Sequence, residues 1–215
     1  MRRNLTGKGI LQFEKFTIVD GDGWEKLSAA EVYTDPYIQI EQAVYHSPSR
    51  PGEEVQWTIA HRKGAVAVAA KDATGRWIMV HQERFPVQQP LWEFPAGQID
   101  DHERRLETAV ILDTVHQELQ EEVGCRLAEG AELIPLGYFF SSQGFTTEHV
   151  YLFVATRVEA TPQGRVEVGN ERIPDVCSFT SEELTAMVAK GEIRDALSLA
   201  LFARMSARGF LGGAA

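Results

Sequence analysis

The chain has 215 residues, and 21 lysines and arginines against 31 aspartates and glutamates give it a net charge of −10. Its 44% hydrophobic and 24% charged content is ordinary for a globular protein and argues against disorder. The acidic balance argues against nucleic acid as a partner, because phosphate backbones are bound by basic stripes. An acidic protein can still act on an anionic small molecule if metal ions stand between carboxylates and phosphate. The longest apolar runs, residues 65–70 and 150–155, fall far short of the ~18 residues that span a bilayer, so no membrane association is expected. The start, MRRNLTGKGILQF, is basic without an apolar stretch behind it and does not read as a secretory signal. Two cysteines, Cys125 and Cys177, leave no disulfide framework or thiolate zinc cluster. The expected location is the cytoplasm.

Residues 1–60 carry short apolar pieces (11–19 and 37–44) broken by Asp20-Gly21-Asp22-Gly23 and by Ser47-Pro48-Ser49-Arg50-Pro51-Gly52, which predicts a small strand-rich segment with turns. Residues 64–71 and 76–81 are strand candidates joined by Asp72-Ala73-Thr74-Gly75, the turn chemistry of a hairpin. A helix is predicted over 106–123, where Leu112, Val115, Leu119 and Val123 recur at helical spacing and Gly124 stands in the capping position. Strands are expected over 133–141 and 149–158. A second helix over 182–190 opens on Thr180 and Glu183 in capping-box spacing and stops at Gly191. A third, over 194–208, carries an apolar stripe and ends before Gly209. Strands and helices alternate without a regular βαβ rhythm, which predicts an α+β fold with a mixed sheet flanked by helices.

The chemistry is concentrated in WEFPAGQIDD (92–101) and the helix that follows. Glu118 and Glu122 are four apart, with Glu121 close to Glu118, and all three are expected on one side of the helix, away from the Leu112, Val115, Leu119, Val123 stripe. Clustered carboxylates repel, and a hard divalent cation such as Mg²⁺ or Mn²⁺ removes that penalty. A Glu-rich helix face is ordinarily just solvated. The Pro95-Ala96-Gly97 turn ahead of this one favours the metal reading, because it can bring a backbone carbonyl towards the same ions.

This region resembles the signature of the Nudix hydrolases: Gly, five residues, Glu, seven residues, then Arg-Glu-apolar-x-Glu-Glu-x-Gly-apolar. Gly97 and Glu103 match the first half, and Glu118-Leu119-Gln120-Glu121-Glu122-Val123-Gly124 the second. The stretches 65–80, His81-Gln82-Glu83-Arg84-Phe85-Pro86, Ser141-Ser142-Gln143-Gly144-Phe145, Glu148 and Gly191-Glu192-Ile193-Arg194-Asp195-Ala196 resemble the ADP-ribose and nucleotide-sugar pyrophosphatase branch. Two departures stand out. A six-residue insertion separates Glu103 from Gln117, and Gln117 occupies the place of the family's arginine, whose ion pair with the loop glutamate it cannot replace. Glu107 is an alternative match for the loop glutamate, and Arg104 or Arg105 a possible source of compensating charge.

The resemblance implies a Nudix α/β/α sandwich over 61–215 and a β-rich dimerisation segment over 1–60. It implies Mg²⁺, with Mn²⁺ as a substitute, held by Glu118, Glu121, Glu122 and the Ala96 carbonyl. The expected reaction is hydrolysis of the pyrophosphate bond of a nucleoside diphosphate sugar, first of all ADP-ribose to AMP and ribose 5-phosphate. GDP-mannose or another nucleotide sugar is the nearest alternative, and a non-catalytic Nudix-fold nucleotide-binding regulatory module the alternative of a different class. Arg84 and Gly144 match substrate-binding positions of the branch, and Arg62 the place from which related dimers offer an arginine to the neighbouring nucleotide. The general base is expected from the loop 160–174 as Glu171 or Glu167, since glutamates committed to metal are poor bases. Trp57 is expected in the core or an interface, and His116 in solvent.

Overall fold

In the structure, a computed structural model, residues 11–18, 21–100, 107–166 and 172–212 are described. The run of small and β-branched residues at Ala65–Lys71 forms β4, the central strand, buried on both faces from Ala65 to Ala70. Asp72 ends it. Its carboxylate accepts the backbone N–H of Thr74 at 2.8 Å and of Arg76 at 3.0 Å, fixing the turn into β5 (Trp77–Arg84). Burial pushes the Asp72 carboxyl up, but the hydroxyls of Thr74 and Ser178, and then these backbone N–H groups, hold it below its ordinary pKa.

β4 and β5 stay paired only at Ala70↔Ile78 and Lys71↔Trp77. Beyond that point β6 (Gln89–Glu93) pairs with β5, and β7 (Ala96–Gln98) pairs with β4. The chain thus crosses between the two strands at Phe94 and Pro95, in the middle of the sheet, and Ala96 and Gly97, expected in a turn, are instead the first residues of β7, paired with Ala67 and Val66. Helix α1 (Thr108–Val123) is followed by β8 (Cys125–Leu127), β9 (Leu133–Phe140), β10 (His149–Ala155), β11 (Val158–Ala160) and β12 (Asp175–Phe179). The large sheet runs β12-β5-β4-β10-β9, with β10 parallel to β4 and the other neighbours antiparallel. The mixed sheet expected from the sequence is therefore present.

Each face of this sheet buries its own core. Ile111, Val115 and Leu119 of α1 pack on Val66, Val68, Ile78, Tyr151 and Phe153. On the other face, helices α2 (Ser181–Ala189) and α3 (Ala196–Ala207) bring Leu184, Met187, Leu201 and Met205 onto Ala67, Ala69, Trp77, Met79 and Leu152. The result is the expected α/β/α arrangement. At about 25 cal/mol per Å² of apolar surface, these two interfaces are the dominant stabilising term. The predicted helix boundaries hold within two residues. Gly124 caps α1 in the left-handed conformation at φ 66°, and the Thr180–Glu183 capping box opens α2.

The N-terminal segment forms a separate antiparallel sheet of β1 (Glu25–Thr34), β2 (Gln39–Ser47) and β3 (Arg50–His61). Every residue of β1 is exposed. Ala60 joins this sheet to the main body through Ala60 N–H to Phe145 O at 2.7 Å and Thr147 N–H to Ala60 O at 3.1 Å. Residues 11–18 form no strand here. They lie against the large sheet, with Phe13 edge-on to Tyr151 and Phe153, and Phe16 against Phe140 and His149. Among the described residues no helix is long and apolar enough to cross a membrane.

Candidate active site

Two of the expected carboxylates close onto the start of β7, at Ala96 and Gly97. Glu118 and Glu122, one helical turn apart, are 9% and 3% exposed on the buried side of α1, next to Ile111, Val115 and Leu119. Glu122 Oε2 accepts the Ala96 N–H at 3.0 Å. Glu118 lies directly over Gly97, where any Cβ would overlap its carboxylate. That close approach is the physical reason for a glycine here. It also corrects the expectation that the glutamates lie away from the apolar stripe: Glu118 and Glu122 continue it.

Glu121 behaves differently. It is half-buried, and its Oε1 accepts a 2.9 Å hydrogen bond from Gln117 Nε2. Gln117 thus holds a helix glutamate. Among the described residues no three His, Cys, Asp or Glu side chains converge as a ligand set. The cradle is two buried carboxylates against the start of β7. This all-oxygen set fits a hard divalent cation, which would also offset the mutual repulsion of two buried carboxylates. Glu107 is the N-cap of α1 and makes no side-chain capping bond. His116 is exposed, as expected. Glu103, Arg104, Arg105, Glu167 and Glu171 lie outside the described residues.

Arg84, at the end of β5, is held in a bidentate pair by Glu93, with Nε to Oε1 at 2.9 Å and Nη2 to Oε2 at 2.6 Å. Glu93 is 3% exposed and immediately precedes the crossover. A buried carboxylate of this kind orients a guanidinium in both plane and position. The first turn of α3 reaches the same place. Asp195 caps α3 through Ser198 N–H at 2.7 Å, and Ser198 Oγ accepts the Phe94 N–H at 2.9 Å. Burial first, then the charge of Glu93, pushes the Asp195 carboxyl up to about 6, against its bonds from Ser198 and the Arg84 guanidinium. Asp195 Oδ2 is buried and has no hydrogen-bond partner among the described residues.

Arg62 and Gly144 are each held where the end of β3 meets the 141–148 loop. Arg62 Nε pairs with Glu148 Oε1 at 2.9 Å, and Glu148 Oε2 accepts the Ser141 hydroxyl. The Gly144 carbonyl accepts Trp57 Nε1 at 2.9 Å. Trp57 is 50% exposed, so of the two places expected for it, core or interface, the structure excludes the core. This junction flanks the site strand, since Ile99 N–H donates to Gly64 O at 2.8 Å and Lys63 pairs with Asp100 at 2.6 Å.

Sequence reasoning missed Glu93 as the partner of Arg84, and the Asp195–Ser198 turn. The second carried a readable signal: Asp-x-x-Ser at a helix start is capping spacing.

Comparison with known proteins places the chain in a family. Residues 61–202 match the NUDIX domain. The ADP-ribose pyrophosphatase of Bacillus subtilis (strain 168) is 31% identical over 145 residues, covering 67% of this chain and 73% of that protein. The ADP-ribose pyrophosphatase of Mycobacterium tuberculosis (strain ATCC 25618 / H37Rv) is 28% identical over 182 residues, covering 82% and 80%. The methanol dehydrogenase activator of Bacillus methanolicus is 28% identical over 169 residues, covering 79% and 85%. In fold, the chain matches the crystal structure of an ADP compounds hydrolase with a TM-score of 0.67 at 14% identity, over 89% of this chain and 99% of that one. The NUDIX match spans the large sheet, α1 and the carboxylate cradle together, and the chain belongs to the Nudix hydrolase family, beside its ADP-ribose pyrophosphatases.

Proposed function

We propose that the protein is a Mg²⁺-dependent pyrophosphatase of nucleoside diphosphate sugars, hydrolysing ADP-ribose to AMP and ribose 5-phosphate. The observation that carries this reading is the closure of Glu118 and Glu122 onto Ala96 and Gly97. The names of the two ADP-ribose pyrophosphatases among the relatives support the choice of substrate.

Glu118, Glu122 and the Ala96 carbonyl would hold the cation, with Glu121 a further ligand once its side chain leaves Gln117. When bound, Mg²⁺ neutralises pyrophosphate charge and lowers the pKa of a coordinated water. Arg84, aimed by Glu93, meets the negative charge of the diphosphate. Arg62 and the Gly144 loop bound the nucleotide end. Glu171, or Glu167, accepts the proton of the attacking water. Product chromatography on a panel of ADP-ribose, GDP-mannose and other nucleotide sugars, with and without Mg²⁺, tests this. AMP and ribose 5-phosphate formed only with the metal are expected. Faster cleavage of another nucleotide sugar would reassign the substrate, and no product from any of them would leave the second reading, a nucleotide-binding regulatory module. What favours that second reading is Gln117 in the arginine's place, bonded to Glu121.

The protein is also proposed to act as a cytoplasmic homodimer. The N-terminal sheet exposes Trp24, Val32, Tyr33 and Trp57, each at 50% or more, on a unit too small to bury its own core. Light scattering should give twice the chain mass. A monomer that hydrolyses substrate at full rate would remove the dimer and the shared role of Arg62.

A further inference from the structure

We propose that the first turn of α3, formed by Asp195 and Ser198, is a positioning element for the metal site, acting through the crossover between β6 and β7. The inference rests on the hydrolase reading above and adds to it residues that touch neither metal nor substrate.

At Phe94 the chain leaves β5 before it has joined β4, so no strand partner serves the Phe94 N–H. An unsatisfied buried N–H is costly, and the group finds the Ser198 hydroxyl instead, with Phe94 and Ser198 each 1% exposed. Ser198 is itself held, because its own N–H is bound by the Asp195 carboxylate. The bond therefore ties the crossover to a capped helix end.

The residues on either side of Phe94 are those the reaction uses. Glu93 grips Arg84 from one side, and two residues further on Ala96 meets Glu122. Pro95 O is fixed in turn by Val68 N–H at 2.9 Å. Three bonds from three elements thus hold a stretch of backbone whose Ala96 amide meets the carboxylate cradle. Ser198 is the one side chain among them that can be changed without touching Glu93, Ala96 or the glutamates. A displacement of this stretch by a fraction of an ångström would spoil the cradle, because Glu118 already lies against Gly97 with no space to spare.

The test is Mn²⁺ titration by calorimetry on the full chain without substrate, alongside thermal melting and steady-state kinetics. Ser198→Ala should weaken Mn²⁺ binding by roughly tenfold, about the effect of one buried hydrogen bond lost, and lower kcat more than it raises KM. Ser198→Thr, which keeps the hydroxyl, should restore most of both. Leu201→Ala, on the same helix but in the core, should lower Tm as much or more while leaving Mn²⁺ affinity unchanged. Wild-type affinity in Ser198→Ala, or an equal loss in Leu201→Ala, would overturn the positioning role and leave the hydrolase reading standing. Failure of the wild-type chain to bind Mn²⁺ at all would overturn both.

Discussion

Replacing Glu118 or Glu122 by glutamine is expected to lower turnover by on the order of 10²–10³-fold, the usual cost of losing one charged contact to a transition state. The fold should survive. Both carboxylates are buried one turn apart on α1, so neutralising either relieves repulsion, and a glutamine at 122 still offers an oxygen to the Ala96 N–H. Gly97→Ala should match the loss by a different route. Its Cβ would occupy the place of the Glu118 carboxylate, so Glu118 must leave the cradle although its charge is untouched. Assays at saturating Mg²⁺ with parallel melting curves separate these cases. Wild-type activity in either glutamine variant would show that the residue is not a ligand. Wild-type activity in Gly97→Ala would show that the close contact is not needed.

Much of the frame was legible because its signals are local. Gly124 after a helical stripe, Thr180 with Glu183, and Asp72 ahead of a turn each act over a few residues, and each does in the structure what its type predicts. What escaped is longer in range. β6 and β7 are short and separated by Pro95, which breaks a strand pattern, so only the divergence of β4 from β5 reveals them. β1 alternates no polar and apolar face because it buries neither. The residue types of the carboxylate helix predict two faces, apolar against acidic. Yet Glu118 and Glu122 belong to the buried face, since the backbone they close on lies in the centre of the sheet. The pairing of Arg84 with Glu93 is not between cross-strand neighbours, since the register sets Arg84 opposite Gln89 and Glu93 opposite Val80, so no spacing in the sequence announces it.

Glutamine at 171, or at 167, is expected to lower kcat by roughly 10²–10⁴-fold with little change in metal affinity, the signature of a lost general base. Both positions lie outside the described residues, but the chain on either side of them is well fixed. On the near side, Thr161 donates through N–H and hydroxyl to Gly124 O, at 2.8 and 3.1 Å, and so caps the end of α1. Gln120 Nε2 reaches Gly164 O at 2.7 Å, and Val166 N–H reaches the Glu121 carbonyl at 3.2 Å. On the far side, Arg172 O accepts Glu83 N–H at 3.0 Å, one residue before Arg84. Arg165 Nη1 joins the two limbs through Ile173 O at 2.7 Å. The described limbs therefore start on α1 and end beside Arg84, the two places from which the proposed metal ligands and diphosphate contact come. Asn170-Glu171-Arg172-Ile173 resembles the family's acidic stretch, which favours Glu171 over Glu167. Single glutamine variants assayed at saturating substrate and Mg²⁺, with Mn²⁺ affinity measured alongside, decide between them. If both stay within a few-fold of wild type, the proton goes elsewhere. If kcat falls together with metal affinity, the residue is a ligand and not the base.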